Sequence, residues 1–275
     1  MSHKEASQAD ALRLEKHDGV ATLTLNRPEV RNALTTAMFQ NMEQMLLEIE
    51  ADDAVRVVVL TGTGVNFSAG ADLKPTSKEE RKRSLAPGFA GDLGGDILAR
   101  GNRCILRLRK LPKPVIGSVN GDAVGIGFSL ALATDIRIAS DNARFGAVFS
   151  RIGLAPDGGV SYFLRELVGS ARALELLFTG KIIDAEKAEQ LGLVNQVVSS
   201  DQLVSVTAQM AADLAKGPTL AYGFAKTAVY EAANLNLASV LDLETRNQQI
   251  AGRSQDAREG VRAFIEKRAP EFRGH

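Results

Sequence analysis

The stretch VRVVVLTGTG, residues 55–64, constrains this fold more than any other part of the chain. Its β-branched side chains favour an extended backbone. Such a continuous β-branched run predicts a strand buried on both faces, the habit of parallel sheets covered by helices on either side. The flanking sequence supplies such partners. GVATLTLNRP alternates small and apolar residues and stops at Pro28, and KPVIGSVNG and DIRIAS read as further strands. TTAMFQNMEQMLLEIEAD sets Met38, Met42, Met45 and Ile49 at helical spacing, with Thr35 or Thr36 as the cap. A methionine stripe of that kind predicts core. After Gly158 the chain reads as helical, punctuated by Gly169, Gly180, Gly192 and Gly217–Pro218, with GLVNQVV as one more strand. The tail helix DAREGVRAFIEKRAPEF is read with Asp256 and Glu259 in its first turn and Lys267 and Arg268 in its last, matching the helix dipole. The fold class is α/β: a body over residues 1–200 and a helical part over residues 201–275.

Composition excludes several functions. The 33 basic and 33 acidic residues cancel, so no overall field draws the chain to nucleic acid or an anionic membrane. The densest charged run, KEERKR at residues 78–83, is mixed in sign and reads as a solvated face. The one cysteine, Cys104, permits no internal disulfide and fits a small core position. His3, His17 and His275 lie near the ends, which argues against a histidine-centred triad or metal site. The polar N-terminus lacks a signal-like apolar stretch, and no run approaches the ~18 residues of a membrane span. A cytoplasmic protein without metal is expected. Residues 74–95 carry Pro, Ser, Gly and charge with little periodicity; a loop that long is either disordered or covers a site.

Two glycine-bearing segments share a design. In GTGVNFSAGADL, Ala69, Gly70 and Ala71 follow a buried strand and let a ligand approach the backbone. In NGDAVGIGFSLALATD, Gly121, Gly125 and Gly127 follow a second strand and open an apolar helix, whose unpaired N–H groups suit negative charge. Facing each other, the segments could each give one N–H to the same oxygen, as in sites that stabilise an enolate or tetrahedral oxyanion. GDAVGIG lacks the Lys–Ser/Thr ending of a phosphate-binding loop. A lone acid, Asp157, stands in RIGLAPDGGVSYFL before an apolar helix. It is either a helix cap or a catalytic acid.

Together LNRPEVRNAL, GVNFSAGADL, KPVIGSVNGDAVGIGFSLALATDIRIAS, ARFG, IGLAPDGGVSYFL and AFIEKR resemble, in order, the crotonase superfamily, the enoyl-CoA hydratase/isomerase family, over residues 12–272. The resemblance implies a crotonase spiral of ββα units with a C-terminal helical trimerisation region. It also implies an acyl-CoA thioester substrate, a homotrimer or dimer of trimers, and no cofactor beyond the coenzyme A of the substrate. Carried over by position, the oxyanion donors fall on Ala69 and Ile126, where relatives often have Gly in place of Ile126. Asn32, Ala33 and Leu34 with Ala71, Asp72 and Leu73 resemble the coenzyme A side of the site. Phe264 and Lys267 resemble residues that reach the nucleotide end, often from a neighbouring subunit.

Departures from the pattern carry the reaction class. At the two positions where the hydratases hold glutamates, this chain has Ser129 and Phe149, neither a carboxylate base. Asp157 matches the single acid of enoyl-CoA isomerases and the aspartate nucleophile of 4-chlorobenzoyl-CoA dehalogenase. The expected activity is the shift of a 3-enoyl-CoA double bond to 2-enoyl-CoA, with Asp157 as acid/base and burial beside Phe149, Ile152 and Phe163 raising its pKa. Hydration of 2-enoyl-CoA is the alternative. Dehalogenation leans on tryptophan, which the chain lacks. A non-catalytic CoA- or RNA-binding member rests on RGNRCILRLRK, and a purely structural trimer would leave both glycine segments unexplained.

Overall fold

The computed structural model describes residues 11–73 and 96–275. The loop expected over residues 74–95, with its charged run, and His3 lie outside them. Strands β1 (Leu12–His17) and β2 (Val20–Leu25) form an antiparallel hairpin. Asp18 and Gly19 turn it with φ of 48° and 80°, as a tight hairpin requires. Helix α1 (Thr36–Ala51) starts at Thr35, whose hydroxyl accepts the Met38 N–H at 3.2 Å. Met38, Met42 and Ile49 are buried in the core, as the stripe predicts.

Next comes a repeated unit of strand, short strand and helix. β3 (Val57–Gly62) and β4 (Asn66–Ser68) lead to α2 (Asp96–Lys110). β5 (Val115–Val119) and β6 (Asp122–Val124) lead to α3 (Ile126–Ala133). β7 (Ile136–Ser140) and β8 (Arg144–Gly146) lead through a 3-10 turn (Val148–Ile152) to α4 (Val160–Thr179). The first strand of each unit joins one sheet and the second joins another. With β9 (Ile182–Asp184), α5 (Ala185–Gln190) and β10 (Gln196–Val198), the six-stranded sheet runs β1-β2-β3-β5-β7-β10 and the four-stranded sheet β4-β6-β8-β9. The expected spiral of ββα units is present. β3 shows why its sequence reads as it does: Val58 and Leu60 enter the main core, while Val57 and Val59 pack on the opposite face.

The C-terminal helices are α6 (Leu203–Ala215), α7 (Thr219–Ala232), α8 (Leu237–Ala251) and α9 (Gln255–Glu266). α6 covers the large sheet through Leu203, Ala211 and Ala215, meeting Val57, Val59, Ile116 and Ile138. α7 is pinned to the body through Asp135. Its carboxylate takes the Lys226 ammonium at 2.8 Å, the Tyr230 hydroxyl and the Val115 N–H. α8 has no buried residue. The tail departs from its sequence reading, because α9 ends at Glu266 and Lys267 follows as a left-handed cap with φ 54°. Arg268 lies past the helix and pairs with Glu259 at 2.6 Å. The Asp256 carboxylate accepts the N–H groups of Arg273 and Gly274, folding the last residues back on α9.

Candidate active site

The two glycine segments meet. Gly70 has φ 93°, and a Cβ there would lie 2.8 Å from the Val124 carbonyl oxygen and 3.7 Å from the Gly125 Cα. Only glycine permits that approach. Gly125, with φ 56°, caps α3 without a side-chain bond. Among the described residues the N–H groups of Ile126 and Gly127 have no acceptor, as expected for a first helical turn. The Ile126 side chain is buried and points at Gly101 of α2, where a Cβ would approach its Cδ1 to 2.9 Å. The isoleucine therefore fills core between two helices and leaves its amide without an acceptor among the described residues.

Ala69 does not fill the role expected of it. Its N–H donates to the Arg31 carbonyl at 2.9 Å and is taken up in holding the loop. Gly70 then turns the chain, and the N–H of Ala71 has no acceptor among the described residues. Ala71 and Ile126 directly follow the touching glycines, so they are the pair of free amides at the junction. The signal lay in the sequence as Gly70: a residue with positive φ changes which way the next amide points.

Asn32, Ala33 and Leu34 lie beside Ala71, Asp72 and Leu73 through a parallel bridge between Leu34 and Ala71. Leu34 N–H donates to Gly70 O and Asp72 N–H to Leu34 O, both at 2.8 Å. Asn32 is a staple. Fully buried at φ 54°, it accepts the Arg27 N–H and donates to Thr63 O and Asn66 O. Its side chain is thus occupied, which removes it as a ligand contact. Arg27 bridges the Ala33 carbonyl at 2.8 Å and the Asp72 carboxylate at 2.9 Å. Leu73 is half exposed at the edge.

The turn before α4 settles what Asp157 is not. α4 begins at Val160 with Gly159 at its N-cap and no side-chain capping bond, so the Asp157 side chain caps nothing. Its Oδ1 is buried without a hydrogen-bond partner among the described residues. Burial pushes the carboxyl up to about 6. An unpaired buried carboxylate opposes folding, and such groups concentrate at functional sites. Gly158 and Gly159, with φ of 59° and 77°, bring the turn against Ser129 of α3 and Ile105 of α2. The Ser129 hydroxyl, wholly buried, donates to the Asp157 carbonyl at 3.0 Å. Phe149 and Phe163 are buried, whereas Ile152 is 58% exposed. A cavity of about 580 Å³ adjoins this turn, lined by Phe149, Leu154, Pro156, Ala173, Leu177 and Phe178 among others; Asp157 itself does not line it.

Phe264 and Lys267 stay apart from this cluster. Phe264 is 85% exposed on α9, with Val261 and Ile265 exposed beside it. No sequence pattern points to a stack in which the Arg109 guanidinium lies 3.1 Å from the Tyr230 ring centroid and 5.2 Å from that of Phe163, joining α2, α4 and α7. The other arginines of RGNRCILRLRK are paired: Arg100 with Asp96, Arg103 and Arg107 with Glu43. A helix face so neutralised is a poor track for phosphates. Cys104 is buried, its thiol pushed up to about 12, which makes it inert. Among the described residues no group of three or more metal-ligating side chains exists, and no helix is long and apolar enough to cross a membrane.

The chain is similar to known proteins along nearly its whole length. The family model for enoyl-CoA hydratase/isomerase matches residues 15–275. The chain is 44% identical over 257 residues to the 1,2-epoxyphenylacetyl-CoA isomerase of Escherichia coli, covering 93% of this chain and 95% of that one. It is 36% identical over 256 residues to the short-chain-enoyl-CoA hydratase of Clostridium acetobutylicum, covering 93% and 94%. The crystal structure of an enoyl-CoA hydratase from Bacillus anthracis superposes with a TM-score of 0.88 at 30% identity, covering 96% of this chain and all of that one. A spiral of ββα units, free amides at the junction of two glycine loops and sequence likeness along nearly the whole chain lead to one conclusion: this chain belongs to the enoyl-CoA hydratase/isomerase family of the crotonase superfamily, enzymes that act on acyl-CoA thioesters.

Proposed function

We propose that the protein is an enoyl-CoA isomerase in which Asp157 is the acid/base and the amides of Ala71 and Ile126 bind the thioester oxygen. The half-buried carboxyl of Asp157, with its Oδ1 buried and unpartnered and no capping bond to α4, is the observation that carries this reading. Moving a double bond from C3 to C2 requires one base that removes a proton from C2 and returns it at C4. No positioned water is needed. The dienolate between these steps carries its charge on the thioester oxygen, where two amides stabilise it more than they stabilise the substrate. A carboxyl near 6 is a better base than an ordinary aspartate and is ionised at neutral pH. Likeness to the 1,2-epoxyphenylacetyl-CoA isomerase, at 44% identity, supports an isomerase and makes ring-bearing acyl groups worth testing. Hydration remains the second reading because the Clostridium relative is named a hydratase. Against it stands the absence of a carboxylate at Ser129 and Phe149.

Coenzyme A enters as part of the substrate, and its binding is proposed along residues 33–34 and 71–73. A homotrimer, or a dimer of trimers, is proposed to complete the site. α8, without a buried residue, and the exposed Phe264 support it, because so much apolar surface on helices calls for a covering partner. Assay of the purified protein with 3-enoyl-CoA and 2-enoyl-CoA thioesters tests the reading. Isomerisation lost in Asp157→Asn supports it, and water addition as the sole activity refutes it.

A further inference from the structure

Ser129 stands one turn into α3, three residues after Ile126, and its hydroxyl donates to the main-chain carbonyl of Asp157 at 3.0 Å. The side chain is wholly buried, and space around it is exhausted. A Cβ on Gly158 would lie 2.8 Å from the Ser129 Cβ and 3.0 Å from the Ile105 Cδ1. One short segment of helix therefore carries both the amide offered to the thioester oxygen and the only side chain that hydrogen-bonds the acid's turn among the described residues. We propose that Ser129 is a positioning residue that fixes the Asp157 carboxylate relative to the Ile126 amide. The proposal rests on the reading of Asp157 as the base. It assigns a role to a position that sequence reasoning could describe only as a missing glutamate.

Two consequences follow from the geometry. Losing the hydroxyl frees the turn to drift, and a displacement of about 1 Å at a reacting group costs on the order of 10² in rate. A glutamate at 129 brings three further heavy atoms into the space that the Asp157 carbonyl and Gly158 fill. Acid at 129 and acid at 157 thus compete for one volume, so the chain cannot gain the first and keep the second in place.

The experiment compares Ser129→Ala, Ser129→Cys, Ser129→Glu and Asp157→Asn with wild type in the full chain, measuring isomerase kcat, KM, the pH profile and thermal melting. Ser129→Ala should lower kcat by 10- to 100-fold with KM within about twofold. Its ascending pH limb should move to lower pH as water reaches the carboxylate, because burial is what pushes Asp157 up. Ser129→Cys, nearly isosteric with a weak donor, should fall between. Ser129→Glu should lose isomerase turnover without gaining hydratase turnover. Wild-type kcat and pH limb in Ser129→Ala, or a changed melting temperature with neither moved, overturns the proposal. If Ser129→Ala fails to fold, wild-type kcat in Ser129→Cys overturns it equally. Inactive Asp157→Asn beside fully active Ser129→Ala refutes Ser129 only, whereas active Asp157→Asn refutes the base itself.

Discussion

Replacing Gly127 by alanine adds one methyl group where the start of α3 leans on β4. The new Cβ would lie 2.7 Å from both the Cβ and the main-chain oxygen of Ser68. Ordinary carbon contacts sit at about 3.5–4.0 Å, so one side must retreat by about 1 Å. Ser68 is the less able to move. It is wholly buried, its hydroxyl donates to Asn32 O at 2.9 Å and accepts the Gly70 N–H at 3.2 Å. The helix start gives way, and the Ile126 amide leaves its aim. Loss of one such donor costs about 10²–10³ in kcat. Overpacking opposes folding by about 1–3 kcal/mol, partly offset by up to about 1 kcal/mol from the better helix propensity of alanine. Gly127→Ala should therefore stay folded and melt slightly lower, while isomerase kcat falls at least 10²-fold and KM changes little. Paired turnover and thermal-melt measurements decide the matter. A folded variant with wild-type kcat would show that the Ile126 amide does no catalytic work.

Ile126→Ala keeps the amide but empties a core position, so it should cost about 2–4 kcal/mol in denaturant unfolding with kcat within about tenfold. The value of kcat/KM should climb through about pH 6 and level off above it as Asp157 ionises; a limb near pH 4 would mean a different base. Because the folded carboxyl titrates higher than the unfolded one, its contribution to stability is complete below the ordinary carboxylate range and lost as pH rises through about 6. Melting of Asp157→Asn should thus exceed wild type at pH 8, on the order of 2 kcal/mol in stability once solvent screening of the half-buried carboxyl is discounted, and match it near pH 4. Phe264→Asp should leave the isolated fold intact, since the side chain is exposed, yet weaken both assembly in sedimentation and CoA affinity; unchanged CoA binding by a well-folded monomer would contradict the subunit-completed site.

Most of the spiral's long strands and helices were legible because burial dictates their composition. β3 is apolar on both faces since the sheet is covered on both, and the α1 stripe marks its core face. β1 escaped notice since only Leu12 of its residues is buried. The strands of the small sheet are three residues each, too short for a period to emerge. In the site, the glycine segments could be found because close backbone approach excludes a side chain. Which amide each segment frees could not, because Ala69 and Ala71 differ only in direction after Gly70. Asp157 was ambiguous for a related reason: a cap and a buried base look alike until the hydrogen bonds are known, and its carboxylate makes none to α4.

Isomerisation of a 3-enoyl-CoA by wild type and Asp157→Asn, measured side by side at pH 8, tests the role of this acid most directly. Asparagine matches aspartate in size but cannot accept the C2 proton as a base. Turnover should fall by at least about 10²-fold while CoA affinity persists. Unchanged turnover in a folded Asp157→Asn would contradict it and leave the buried carboxylate without a part in catalysis.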